Sequence, residues 1–119
     1  MDQDTVNYVF FYFGDLMTEE EALAYRHYIS FAKLEASKNS NQEAKEARRR
    51  LYLEKGWLTE RKDILSLLSN GFSPFQCHVV ERILHEHPDQ VSFNLCPNCS
   101  KLARTPYVKQ CRFCGHDWH

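Results

Sequence analysis

The sequence has no excess of charge of either sign and no long apolar run. Its 15 Lys and Arg residues nearly balance 16 Asp and Glu residues, and the formal net charge of -1 argues against a chain that binds nucleic acid or a membrane over most of its surface. No stretch approaches the roughly 20 apolar residues that a membrane-spanning helix needs. The apolar run VFFYF at 9–13 follows two acidic residues, Asp2 and Asp4, whereas a secretory signal peptide begins with positive charge. We therefore expect a cytoplasmic protein without membrane association.

Residues 1–89 show no internal repeat or low-complexity tract, and their pattern is that of helices. The segment 6–13 is rich in β-forming residues, but the absence of a partner strand favours a short helix there. Thr18 and Glu21 match a capping box at the start of a further helix. Other boundaries are expected at the polar joint 37–42, at Gly56 after a helix over 42–55, at Thr59 and at Ser73. The pattern predicts a domain of about four helices.

Four of the five cysteines form two Cys-x-x-Cys pairs, Cys96 with Cys99 and Cys111 with Cys114, while Cys77 stands apart. In a reducing cytoplasm such pairs are metal ligands rather than disulfides. A tetrahedral Zn²⁺ takes four thiolates at about 2.3 Å, and each pair can supply two of them from one tight turn. We expect one structural Zn²⁺ at the four paired cysteines, because a closed shell of four thiolates leaves no open position for catalysis.

The residue pattern changes after Pro88. Val91, Phe93 and Leu95 alternate with polar residues, which is typical of a half-buried strand. We therefore place a second domain, a zinc ribbon, at 90–119, and expect a mainly α-helical chain that ends in a small β zinc ribbon. Because the helices have their own caps and apolar faces, we expect them to survive loss of the metal.

The segment between the two cysteine pairs is long enough for a short β-hairpin. We expect 101–104 to form its outgoing strand, 105–106 its turn and 107–110 its returning strand. Gly115 follows the second pair, where the turn needs an unhindered backbone. Ser100 is its counterpart after the first pair, and we expect a strain of about 1 kcal/mol there if the residue is left-handed.

Two alternative roles for these cysteines are an iron site and a redox centre. A rubredoxin-like iron site uses the same four thiolates, so the spacing leaves iron open. A thioredoxin-like redox centre has a single Cys-x-x-Cys beside a βαβ unit, and the sequence contains no such pattern. Zinc is favoured because hairpins of this kind mostly hold structural zinc.

The stretches KLARTP at 101–106 and KQCRFCGHDWH at 109–119 resemble the tail of a group of small bacterial zinc-ribbon proteins with no assigned activity. The resemblance covers the segment with the paired cysteines and does not extend through the helical part. It implies a zinc site at the four paired cysteines, and it implies no activity.

Four cations, Lys101, Arg104, Lys109 and Arg112, lie close in sequence to the paired cysteines. Zn²⁺ with four thiolates is doubly negative, so these cations can offset its charge, and this interpretation is favoured over phosphate contacts. The leading hypothesis is a module in which structural zinc serves an interaction with a protein. The alternative is a nucleic-acid-binding module, in which these cations contact a phosphate backbone and Tyr107 stacks beside it.

A third hypothesis is a hydrolase on a helix face. His78, Glu81 and His85 share one face of a helix, opposite its apolar residues. Such a face is more often solvated than catalytic. We therefore expect that the protein is not an enzyme.

Overall fold

The computed structural model describes residues 1–36 and 41–119, and within them it contains five α-helices and no β-strand. In chain order the helices are α1 (Gln3–Tyr12), α2 (Glu19–Glu35), α3 (Gln42–Glu54), α4 (Lys62–Ser66) and α5 (Phe72–Glu86), with a 3-10 turn at Gly14–Leu16. None of the described helices is long and apolar enough to cross a membrane. The mainly helical prediction is confirmed, with five helices where about four were expected.

The chain divides into two compact units. The N/C unit consists of Met1–Leu16 and Gln76–His119, and the middle unit is Met17–Phe75. The N/C unit therefore contains α1, most of α5 and the segment with the paired cysteines. The predicted boundary between residues 89 and 90 concerns independent folding, and it stays a prediction.

Helix α1 begins at Gln3 because Asp2 caps it. Asp2 Oδ1 accepts the backbone N–H of Thr5 at 2.8 Å, and the Asp2 backbone is extended, as an N-cap requires. The prediction of a short helix over 6–13 is confirmed, although the helix starts earlier and ends at Tyr12.

A buried amide side chain connects α1 to α5 in the N/C unit. Gln76 is almost fully buried; its Oε1 accepts from Gln3 Nε2 at 3.1 Å, and its Nε2 donates to Asn7 Oδ1 at 3.0 Å. Because a buried amide must be hydrogen-bonded, these partners fix where α1 lies along α5. The apolar core around them comprises Val6, Val9, Phe10, Val79, Val80 and Ile83.

The middle unit is arranged around α2. The predicted capping box is confirmed, since Glu21 N donates to Thr18 Oγ1 at 3.1 Å and Thr18 N donates to Glu21 Oε1 at 2.9 Å. Helix α2 contacts both α3 and α4. The core of the middle unit includes Ala24, Leu34, Leu58 and Ile64, all of which are buried.

Other predicted helix boundaries have mixed outcomes. Gly56 follows α3 with a φ of 76°, as expected for a residue that ends a helix. Thr59 is not the cap of α4: the N-cap is Arg61, whose N–H donates to Thr59 Oγ1 at 3.1 Å. Ser73 is not the cap of α5, because that helix begins one residue earlier. Most of the predicted polar joint 37–42 lies outside the described residues.

The structure does not form the predicted β zinc ribbon. Within the described residues, the C-terminal segment has only isolated antiparallel bridges, at Leu95–Leu102 and Gln110–Asp117. The backbone groups that strands would pair have other partners. Ser92 O and Asn94 N bond the Tyr8 hydroxyl, while the carbonyls of Thr105 and Val108 accept from the Asn94 side chain. These four backbone groups therefore bond side chains rather than a neighbouring strand, as a ladder would require.

Candidate metal centre

The four paired cysteines come together in the N/C unit. Their sulfur atoms all lie within 4.8 Å of one another. Two of these separations, 3.5 Å between Cys99 and Cys111 and 3.7 Å between Cys96 and Cys114, each join one pair to the other. Four thiolates at about 2.3 Å from a tetrahedral ion lie about 3.8 Å apart. The cluster therefore has the dimensions of a four-thiolate metal site.

The two cysteine pairs lie in turns of the same construction, which we call the first knuckle (94–103) and the second knuckle (109–118). In each, the N–H of the first cysteine donates to the carbonyl of the residue five positions ahead, at 2.9 Å for Cys96 and 2.8 Å for Cys111. The carbonyl of the same cysteine accepts the N–H of the residue four positions ahead, at 2.8 and 3.0 Å. A third bond closes each knuckle at its base, Ala103 N to Asn94 O at 2.8 Å and Trp118 N to Lys109 O at 2.9 Å.

The correspondence of Ser100 with Gly115 was expected, but the hydrogen-bond pattern that the two knuckles share was not. The knuckles share only their cysteines, so residue identity does not reveal the relation. What they share is backbone conformation. Ser100 and Gly115, each directly after a second cysteine, have φ values of 65° and 79°. Ser100 is therefore left-handed, which meets the condition under which strain was expected there, and this conformation relates the two knuckles.

Backbone N–H groups point at the first sulfur of each knuckle. Cys96 Sγ accepts from the N–H of Asn98 and of Cys99 at 3.4 and 3.5 Å. Cys111 Sγ accepts from the corresponding N–H groups at 3.3 and 3.4 Å. Hydrogen bonds of this kind favour the thiolate over the thiol.

The four thiols are too close to ionise equally. The Cys114 N–H lowers the pKa of Cys111 to about 6, with help from the N–H of Phe113. For Cys99, a backbone bond from Lys101 lowers the pKa, but burial and bonds with the neighbouring thiols outweigh it and raise the pKa to about 11. Negative charges that crowd one another in this way are accommodated together when a cation lies among them.

Asn94 and Tyr8 join the first knuckle to α1. Asn94 Nδ2 donates to Thr105 O at 3.0 Å and to Val108 O at 2.8 Å, and so holds the loop between the knuckles. The Tyr8 hydroxyl accepts from Asn94 N at 3.0 Å and donates to Ser92 O at 2.8 Å. Tyr8 is 2% exposed, and burial raises the pKa of its phenol, which keeps the proton needed for donation. Sequence analysis missed both residues, because no local motif marks them.

The cations near the cysteines have different partners. Arg112 pairs with Asp4 of α1 at 3.2 Å. The charged groups of Lys101 and Arg112 also lie over the Phe113 ring, 4.8 and 4.9 Å from its centroid. Arg104 and Lys109 have no ion pair among the described residues.

The helix face proposed for a hydrolase gains no support. His78, Glu81 and His85 are exposed on α5. Over 1–36 and 41–119, the paired cysteines are the only group of three or more His, Cys, Asp or Glu residues placed to hold a metal ion. Cys77, also on α5, is partly exposed and is not part of that group.

Comparison of the chain with protein-family models, curated proteins and solved structures finds no match in any of the three.

The left-handed residues of the two knuckles offer a paired test of backbone strain. Replacing Ser100 with Gly should stabilise the metal-loaded protein by about 0.5–1 kcal/mol, because relief of left-handed strain exceeds the added entropy of the unfolded chain. Replacing Gly115 with Ser should destabilise it by about 1 kcal/mol, since the site has room for a Cβ and only the backbone opposes it. Urea unfolding at fixed metal concentration measures both. If both variants changed the free energy of unfolding equally and in the same direction, the relation between the knuckles would be contradicted.

The Tyr8 hydroxyl can be tested by removing it. Tyr8→Phe keeps the ring, which stacks on Phe93 at 5.7 Å, but leaves Asn94 N and Ser92 O without their partner. We expect a loss of about 1–3 kcal/mol in urea unfolding. Tyr12→Phe, at a more exposed ring on the same helix, is the matched control and should change stability by less than about 0.5 kcal/mol. Equal effects of the two variants would show that the hydroxyl does not hold α1 to the knuckle.

Proposed function

We propose that this chain binds one Zn²⁺ through Cys96, Cys99, Cys111 and Cys114, and that the ion is structural. The observation that carries the proposal is the sulfur cluster, in which separations of 3.5 and 3.7 Å between the two pairs approach the edge of a four-thiolate tetrahedron. Four protein ligands fill the coordination shell of Zn²⁺, so no position is left for a substrate or a reactive water.

Zinc is preferred to iron, although both accept four thiolates in this geometry. A zinc site in a reducing cytoplasm keeps its ligands without any change of oxidation state, and the resemblance to bacterial zinc-ribbon proteins also implies zinc. Elemental analysis distinguishes the two metals directly.

The need for a metal follows from how little the segment buries. Between residues 90 and 119 the buried apolar side chains are Val91, Ala103 and two of the cysteines, whereas Leu95, Tyr107 and Phe113 are about half exposed or more. So small an apolar core does not hold a fold by itself. Structural zinc supplies roughly 10–16 kcal/mol of apparent binding free energy to small peptide domains, and this becomes folding free energy.

The role we propose for the ordered segment is interaction with a protein rather than catalysis. Exposed aromatic side chains such as Tyr107 and Phe113, held on a folded segment, are typical of protein interfaces. Nucleic acid is the second candidate, because Arg104, Lys109 and Arg112 border one cavity. It is less favoured, because Arg112 already pairs with Asp4 and the proposed zinc centre is doubly negative.

Elemental analysis of protein purified without added metal tests the centre. We expect about one zinc per chain, lost in Cys99→Ser and in Cys114→Ser because each removes a ligand. Cys77→Ser removes a thiol outside the cluster and should keep the zinc. Iron in place of zinc would overturn the choice of metal, and four free thiols without any metal would overturn the centre itself.

A further inference from the structure

A concave surface lies beside the second knuckle of the N/C unit. Its volume is about 510 Å³, and its walls include Arg104, Tyr107, Val108, Lys109 and Arg112. We call it the basic cavity. Ligand sites in proteins commonly enclose a few hundred to about 1,000 Å³, so the basic cavity is large enough to take several side chains of a partner.

The aromatic residue of the basic cavity is exposed on a turn whose backbone is held by hydrogen bonds. Tyr107 is 80% exposed. Thr105 Oγ1 accepts the N–H groups of Tyr107 and Val108, both at 3.2 Å, and the Asn94 side chain binds the carbonyls at the two ends of this turn. A tyrosine on a braced loop loses little conformational entropy when it binds, which is why such residues contribute strongly to protein interfaces.

The charges of the basic cavity fit a few carboxylates better than a polyanion. Arg104 and Lys109 have no ion pair among the described residues, whereas Arg112 is neutralised by Asp4. Cys111 also lines the cavity, so the doubly negative zinc centre proposed above lies at its wall. Nucleic-acid affinity grows with the number of phosphates neutralised, and two free cations neutralise few. A guanidinium, by contrast, binds a single carboxylate through two parallel hydrogen bonds.

We propose that the basic cavity binds an acidic segment of a partner protein, with carboxylates on Arg104 and Lys109 and an apolar side chain against Tyr107 and Val108. The inference rests on the proposed zinc centre, because the loop that carries Tyr107 runs between the two knuckles. It specifies the proposed protein interaction by naming the surface and the chemistry of the partner.

The test uses the full-length zinc-loaded protein and three labelled probes of equal length. One is a peptide of alternating Glu and Leu, one a peptide of alternating Lys and Leu, and one an oligo(dT) strand. Fluorescence anisotropy at physiological salt should show binding of the Glu peptide and none of the Lys peptide. The Arg104→Gln/Lys109→Gln variant should bind the Glu peptide roughly tenfold more weakly, since each lost charge removes a charge-assisted bond.

Matched controls separate this surface from general electrostatics. Arg50→Gln/Lys62→Gln makes the same change of charge on exposed residues of the middle unit and should leave peptide binding unchanged. Tyr107→Ala should weaken binding without a change of charge. Zinc content is measured in every sample, so a variant that has lost its knuckles is recognised by its lost metal.

The outcomes distinguish the two proposals. Zinc present with no binding of the Glu peptide, or with equal binding by the Arg104→Gln/Lys109→Gln variant, overturns the acidic partner and leaves the zinc centre standing. Tighter binding of oligo(dT), falling steeply with salt, overturns it in favour of nucleic acid. If the wild-type protein is purified without zinc and still binds the Glu peptide through Arg104 and Lys109, the surface stands and the metal is rejected. If the wild-type protein shows neither zinc nor binding, both proposals are rejected.

Discussion

Four sulfur atoms within 4.8 Å of one another are the constraint around which the C-terminal half of the N/C unit is organised. Thiolates at such distances repel one another, and several neighbouring groups reduce that repulsion. Backbone N–H groups point at Cys96 and Cys111, and the Asn98 side chain donates to Cys114 Sγ at 3.6 Å. Ser100 accepts a left-handed conformation so that the first knuckle closes as the second does. The divalent cation proposed above would complete this arrangement by neutralising part of that charge.

The contacts of Tyr8 explain why the cysteine segment and α1 belong to one compact unit. Through its single hydroxyl, Tyr8 bonds Ser92 O and Asn94 N, which lie 84 and 86 positions further along the chain. Arg112 adds a second connection by pairing with Asp4 near the start of the same helix. These contacts limit the expectation that all the helices survive metal loss. Helices α2, α3 and α4 have their own core in the middle unit, whereas we expect α1 to depend in part on an ordered first knuckle.

Local sequence signals predicted those features whose causes are local. The capping box of Thr18 and Glu21 and the end of α3 at Gly56 each depend on side chains or backbone within a few residues. The convergence of the cysteines was also predictable, because two Cys-x-x-Cys pairs have few uses in a reducing compartment. The alternation of 91–95 predicted a strand that does not form, and two of its backbone groups, Ser92 O and Asn94 N, bond a distant tyrosine instead. A periodic pattern of apolar residues in the sequence gives no information about such a partner.

Long-range partners also decided which hydroxyls cap helices. Thr59 Oγ1 accepts from Arg61 N, and Thr59 N donates to His27 Nδ1 at 3.1 Å, so the residue belongs to a turn against α2 rather than to the start of α4. A sequence motif shows that a hydroxyl can cap, and only tertiary structure shows which N–H it meets.

Hydrogen exchange with and without metal measures most directly whether the sulfur cluster organises the N/C unit. The zinc-loaded protein is compared with protein stripped by a chelator, and protection is resolved by peptide. The account predicts that 90–119 and α1 lose protection together while α2, α3 and α4 keep theirs. Retained protection throughout α1 would show that the cysteine segment folds and unfolds alone, with the boundary near residue 90. Unchanged protection at 90–119 would show that no metal is needed to hold the knuckles.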